Sequence, residues 1–301
     1  MAIPGTLAAA ATQINVFVSQ NLSSSVHGAT SWLANADKFY QLPLGLVGVA
    51  IGTALLPNLS RAVQVGDKGL AQKTMDDAVV YGMVFSLPAA VALVAIPFFL
   101  IDGLYTRGDF HVFDSQQTAL CLFHYGWGVP AFVLTRILNP AFFARKDTFG
   151  PMKFAMVSVI VNLCLGIGLF HGFAYNGVQI LPKMGVPGLA VSVSAAAWVN
   201  VFLMVITLAK RGTWTISAKA LSQLMLLGLT SAVMALFCAG CDLYRPQIQD
   251  YIAHIWPWRH GIKEIAVLSV GMSGVVIYFA MLFILKVLTP SQLKSIFKRK
   301  A

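Results

Sequence analysis

Eight long apolar stretches, separated by short polar loops, run through nearly the whole of the 301-residue chain. They decide the solvent. A helix crosses the hydrocarbon core of a bilayer with about 20 residues, each rising about 1.5 Å. The stretches fall near 3–22, 37–57, 79–101, 118–141, 154–173, 186–209, 218–240 and 264–288. Strands of a membrane barrel would be roughly 10 residues long with strict alternation; these runs are twice that and apolar all round, so they read as helices. Only 11% of residues are charged, against roughly 25% in a soluble domain. Too little polar sequence remains to coat a soluble core. The expected fold class is all-α, a polytopic membrane helix bundle of about eight spans. Pro43, Pro88, Pro130 and Pro140 fall in or near spans, where bundled membrane helices tolerate proline and bend at it.

The net charge of +10 sits mostly in loops. Loops on alternate sides divide it unevenly. One side holds thirteen Lys and Arg residues, among them Arg61, Lys68, Arg145, Lys146, Lys210 and the tail Lys294–Lys300; the other holds five, including Arg107, Lys183 and Lys263. The positive-inside rule makes the richer side cytoplasmic and puts both termini there. Anionic lipid headgroups are the expected partners of this charge. Nucleic acid is not, because no aromatic residues interleave with the basic ones to stack bases. The basic loop 210–219 sets the last two spans apart, giving two units: 1–210, a six-helix lobe, and 211–301, a helix hairpin with a basic tail. The loop 241–263 carries Tyr244, Tyr251, Trp256 and Trp258, an interfacial aromatic belt. Cys238-Ala-Gly-Cys241 reads as small residues at a helix end, with a local disulfide as the alternative if that end meets an oxidising compartment.

A charge in hydrocarbon costs about 2.5–3.5 kcal/mol on insertion scales, so polar groups in or beside spans need a reason. Asp37 and Lys38 stand side by side at the mouth of the second span. Successive helical residues point about 100° apart, so the two do not bond each other. Lys38 either faces a wet cavity and binds an anion, or snorkels at an interfacial helix start with Asp37 near the positive end of the dipole. Arg136, near Asn139, poses the same choice between snorkelling and an anion contact. Gln13, Asn15, Asn162, Asn200 and His124 suit interhelical hydrogen bonds; a polar or cation site built from Asn15 and Asn162 is the functional alternative. Gly48-xxx-Gly52 and Gly168-xxx-Gly172 suit close helix packing, or a hinge. Asp76-Asp77 reads as a helix N-terminus. No GxSxG, HExxH, P-loop or strand-led GxGxxG is present, and in-span carboxylate pairs are lacking. Enzyme chemistry therefore has little to stand on. No cofactor is expected, and neither ion coupling nor use of the membrane potential can be assigned to particular residues.

The run Ser31-Trp-Leu-Ala-Asn-Ala-Asp37-Lys38-Phe-Tyr-Gln-Leu-Pro-Leu-Gly45, continuing Val49-Ala-Ile-Gly-Thr-Ala-Leu-Leu-Pro-Asn-Leu-Ser-Arg61, resembles the MurJ/MviN lipid II flippase family. Thr12-Gln-Ile-Asn15, Tyr105-Thr-Arg-Gly-Asp-Phe110 and Pro140-Ala-Phe-Phe-Ala-Arg-Lys-Asp147 resemble it too. The resemblance implies an exporter-superfamily fold of fourteen spans, in two six-helix lobes plus a final pair. This chain resembles spans seven to fourteen, so the first lobe is an implied partner. The implied cargo is the undecaprenyl-diphosphate-linked peptidoglycan precursor, moved to the outer leaflet of the bacterial cytoplasmic membrane. Where the family has Ala-Asp-Arg, this chain has Ala36-Asp37-Lys38, which gives Lys38 the implied diphosphate contact as a point charge rather than a fork. Where the family has Asp-x-x-Thr-Pro, it has Asp147-Thr148-Phe149-Gly150-Pro151, without that hydroxyl. The last two helices would line a groove for the lipid tail. The alternatives are an exporter of another cargo on the same scaffold, such as an O-antigen lipid or a drug, and a membrane scaffold without transport.

Overall fold

The computed structural model describes residue 17 and residues 19–175, 178–255 and 261–285, leaving aside the side chains at 46–54, 175, 178 and 255. Its elements are α1 (Ala29–Val65), α2 (Lys68–Ala95), α3 (Pro97–Tyr105), α4 (Val112–Gly126), α5 (Val129–Phe143), α6 (Phe149–His171), β1 (Phe173–Tyr175), β2 (Val178–Leu181), α7 (Val186–Lys210), α8 (Ala218–Leu243), α9 (Arg245–Ile255) and α10 (Ile262–Ile284). Among the described residues, six spans are long and apolar enough to cross a membrane: α2, the α4–α5 pair, α6, α7, α8 and α10. Helix α1 is a seventh long helix, 37 residues or about 55 Å. The first apolar stretch, 3–22, lies almost wholly outside the described residues. The chain is a multi-pass membrane protein built of helices.

The helices overrun their apolar stretches. Helix α2 starts at Lys68 because Asp67 caps it, its side chain accepting from the Leu70 N–H at 2.9 Å. Asp76 and Asp77 are thus in the third turn and not at the helix start. Asp76 is instead buried, accepting from Trp214 Nε1 at 3.0 Å and from Gln72 Nε2 at 3.1 Å. The antiparallel hairpin β1–β2 is the one departure from helix among the described elements. Part of the expected loop 241–263 is helix α9. Cys238 and Cys241 are both free.

The span 112–143 is broken at Gly126-Trp127-Gly128, between α4 and α5. A break in hydrocarbon needs partners for its freed carbonyls. Helix α7 supplies them: Ser194 Oγ donates to the His124 carbonyl at 2.7 Å, and Trp198 Nε1 to that of Trp127 at 3.1 Å. A Cβ at Gly128 would sit 2.3 Å from Ser194 Oγ. Helices α6 and α7 meet through Gly188, where a Cβ would lie 2.8 Å from that of Leu169. Gly168 instead makes room for Leu181 of β2, and Gly172, at φ 79°, ends α6.

Helix α8 packs along α2, and α10 against α8 and α3. Residues on both sides of position 210 share one apolar core. Pro88 lacks an N–H, which leaves the Val84 carbonyl without its helical partner; the hydroxyl of the fully buried Tyr278 donates to that carbonyl at 3.0 Å. Polar ties close both ends. Lys263 pairs with Asp102 at 3.1 Å and Arg107 with Glu264 at 3.6 Å. At the opposite end, Arg145 donates to the Thr213 carbonyl at 3.2 Å and Arg211 pairs with Asp147 at 2.6 Å.

That last pair makes a pH prediction. Burial works to raise the pKa of Asp147, but the hydrogen bond from Arg211 and those from the Gly150 and Phe149 N–H groups outweigh it, so the carboxyl lies below its ordinary value. A carboxyl lowered by folding adds stability above the unfolded pKa, about 3.9, and loses it as pH falls through the folded value. Thermal melts in detergent should show this loss below about pH 4. In Asp147→Asn the melting temperature should be lower at neutral pH and decline less on acidification.

Candidate functional site

Ser31, Ala34, Lys38, Gln41 and Gly45 recur at helical spacing along α1, and all are exposed. Apart from Leu42 alongside, this face is small and polar. The exposed faces of the outer helices are of another kind: Met156 and Ile160 on α6, Met225, Leu229 and Leu236 on α8, Leu268 and Met272 on α10. Acyl chains solvate the second kind of surface well. A face carrying an ammonium and an amide among small residues is suited to water, and ionisable groups at membrane depth line cavities as a rule.

Lys38 lies in the third turn of α1, about 13 Å along the axis from Ala29, and not at a helix start as the interfacial reading required. Its Nζ donates to Asn35 Oδ1 at 3.2 Å. Asp37 turns the other way. Its carboxylate accepts from Gln41 Nε2. The Tyr40 ring is wedged between Tyr125 of α4 and Phe132 of α5, with centroids 4.9 and 5.0 Å away. One end of α1 is fixed by Trp32, whose Nε1 donates to Asp114 Oδ1 at 2.8 Å; Asp114 Oδ2 accepts from the His111 N–H at 2.9 Å at the start of α4. Three ion pairs occur among the described residues, and none includes Lys38, Asp37 or Arg136. Both cations are exposed.

The structure thus puts Asp37 and Lys38 on adjoining faces of α1, and Arg136 on the neighbouring helix α5. It leaves Asn162 apart, buried on α6; Asn15 lies outside the described residues. No group of three or more His, Cys, Asp or Glu able to hold a metal occurs among the described residues. Asn35, Tyr40 and Gln41 escaped the sequence reading. Their signal was spacing: Asn35 precedes Lys38 by three, and Tyr40 and Gln41 follow Asp37 by three and four, the neighbours of a helix face. At Asp147, Oδ1 accepts from the Gly150 N–H at 2.8 Å, and a Cβ on Gly150 would lie 2.9 Å from Oδ2.

Residues 1–255 match the family described as "Lipid II flippase MurJ". The chain belongs to this family. A probable lipid II flippase MurJ of Rhizobium meliloti (strain 1021) is 37% identical over 235 residues, 78% of this chain and 42% of that protein. One from Rickettsia prowazekii (strain Madrid E) is 31% identical over 285 residues, 94% of this chain and 53% of that protein. The chain therefore spans about half the length of the curated relatives it matches. Among solved structures it resembles one titled "Lipid II flippase MurJ, inward closed conformation", with TM-score 0.69, 22% identity, and coverage of 94% of this chain and 53% of that one. It also resembles a MOP superfamily transporter from Pyrococcus furiosus, with TM-score 0.53, 14% identity, and coverage of 93% and 63%. The likeness to both is one of fold. The family is one of transporters.

Proposed function

We propose that this chain is the carboxy-terminal part of a lipid II flippase, and that the Lys38 face of α1 lines its transport cavity. The cargo is the undecaprenyl-diphosphate-linked peptidoglycan precursor, carried from the inner to the outer leaflet of the cytoplasmic membrane. The observation that carries this reading is the contrast between the small, polar exposed face of α1 and the large apolar faces of α6, α8 and α10. A diphosphate headgroup cannot cross hydrocarbon bare. It needs a wet cationic path between helices that rock about a central site. Lys38 and Arg136 supply that charge, neither being neutralised by an ion pair among the described residues. Lysine holds a phosphate as a point charge and gives up the bidentate geometry of arginine. The apolar tail stays in lipid, beside α8 and α10. No bond is made or broken.

In this reading 1–210 is the transport lobe and 211–301 the terminal hairpin. The Asp147–Arg211 end faces the cytoplasm with the basic loops, and both termini lie there. The opposing wall of the cavity comes from an amino-terminal lobe, the part of the relatives that this chain does not span. Residues 1–301 reconstituted alone in liposomes should therefore flip fluorescent lipid II no faster than protein-free vesicles do. Flipping by this chain alone would overturn the two-lobe reading.

A further inference from the structure

We propose that Arg211–Ser217 is a clasp rather than a slack linker, and that it makes the terminal helices α8 and α10 travel with α2 as one rigid body when the flippase changes conformation. The transport half of this claim rests on the flippase reading given above.

Seven residues can extend over about 23 Å, slack enough for two helices to move on their own. This loop is instead fastened along its length. Arg211 pairs with Asp147, between α5 and α6, at 2.6 Å. The Thr213 carbonyl accepts from Arg145 Nη2 at 3.2 Å, and Arg145 Nη1 donates to the Ala141 carbonyl of α5 at 2.7 Å. Trp214 is 3% exposed, and its indole donates to the buried Asp76 of α2 at 3.0 Å. Gln72 donates to both oxygens of that carboxylate at 3.1 Å and also to the Thr215 carbonyl. Ser217 then caps α8, its hydroxyl accepting from the Ala220 N–H at 3.2 Å. Opening the clasp would put a large indole into water and strip a buried carboxylate of a donor, and both are costly. The other end of the hairpin is equally tight. Lys263 pairs with Asp102 and Arg107 with Glu264, the Arg245 guanidinium lies 4.7 Å from the centre of the Phe98 ring, and a Cβ on Gly103 of α3 would sit 2.3 Å from Val267 Cγ2 of α10. Between the two ends, Tyr278 holds the Val84 carbonyl. The hairpin is thus tied to α2 and α3 at both ends and in the middle, so a path for the cargo does not open between α8 and α2.

In a cysteine-free form of the complete flippase, Gln72→Cys and Thr215→Cys can be joined across the clasp by a bis-maleimide that carries a reducible bond. The linked protein in liposomes should flip fluorescent lipid II with no loss of rate against the same protein unlinked. Arrest by the link, relieved by a reductant, would show that α8 parts from α2 and would overturn the proposal. A second measurement does not depend on transport. Spin labels at the exposed Leu70 of α2 and Leu221 of α8 report their separation in nanodiscs by double electron–electron resonance. One narrow distance, the same with and without lipid II, is expected; two distances overturn the one-body claim. Trp214→Phe combined with Arg211→Gln keeps a buried ring and drops two of the ties, so it should broaden that distance. An unbroadened distance would mean that the loop is not what fastens α8, and the clasp falls. If the unlinked flippase moves no lipid II, the flippase reading falls, and the spin-label distances still decide the clasp.

Discussion

Lys38→Ala, made in the complete flippase and expressed at the normal level, should fail to support growth when the native flippase is depleted, while Lys38→Arg should support it. The ammonium stands in the third turn of α1, exposed, with a single neutral partner in Asn35. A hydrogen bond to a charged group contributes about 1.5–3 kcal/mol, so its loss weakens the hold on a diphosphate by roughly ten- to a hundredfold. Arginine restores the charge and adds a fork suited to phosphate. Alanine leaves Arg136, on the neighbouring helix α5, as the other exposed cation of the candidate site. Normal growth of the alanine form would remove Lys38 from the mechanism.

The second large effect concerns how the terminal hairpin is fastened. Tyr278→Phe removes the donor to the Val84 carbonyl and leaves a buried acceptor unsatisfied, at a cost of about 1–3 kcal/mol. The cause lies in α2, where Pro88 cannot supply the N–H. Pro88→Ala restores that N–H, so Tyr278→Phe in the Pro88→Ala background should cost much less than in the unaltered chain. Unfolding in mixed micelles of all four forms gives the coupling energy directly. Additive effects would mean that proline and tyrosine are unrelated. The buried Thr230 and Ser231 hydroxyls of α8 donate to the Leu227 carbonyl instead, so this contact anchors α10 to α2.

Hydropathy sufficed to find the six spans shown among the described residues, since lipid imposes length and apolarity on each of them. It did not find their ends. Helix α1 begins eight residues before the apolar run at 37, because Ala29–Ala36 packs through Ala29, Trp32 and Ala36 against other helices while its outer face stays polar. The break at Gly126–Gly128 was not legible because the groups that make it tolerable, Ser194 and Trp198, lie some 70 residues on, in α7. Asp76 reads locally as a helix-start acid; its partner Trp214 is 138 residues away. The hairpin at 173–181 and helix α9 lie in loops, where no lipid imposes a pattern. At the site, Asp37, Lys38 and Arg136 stood out because charge is rare in such a chain. Tyr40 did not, since an aromatic ring beside an apolar run is ordinary; its packing between Tyr125 and Phe132 emerges only in the fold.

The central claim is that the Lys38 face of α1 meets water and not acyl chains. Cysteines placed one at a time at Ala34, Gln41 and Gly45 on that face, and at Leu229 and Met272 on α8 and α10, in a background with Cys121, Cys164, Cys238 and Cys241 replaced, test it in membranes containing the complete flippase. A membrane-impermeant, water-soluble thiol reagent applied to open membranes should label the three α1 positions quickly and the other two scarcely at all. Equal, slow labelling at all five would place α1 against lipid and contradict a carrier cavity in this part of the protein.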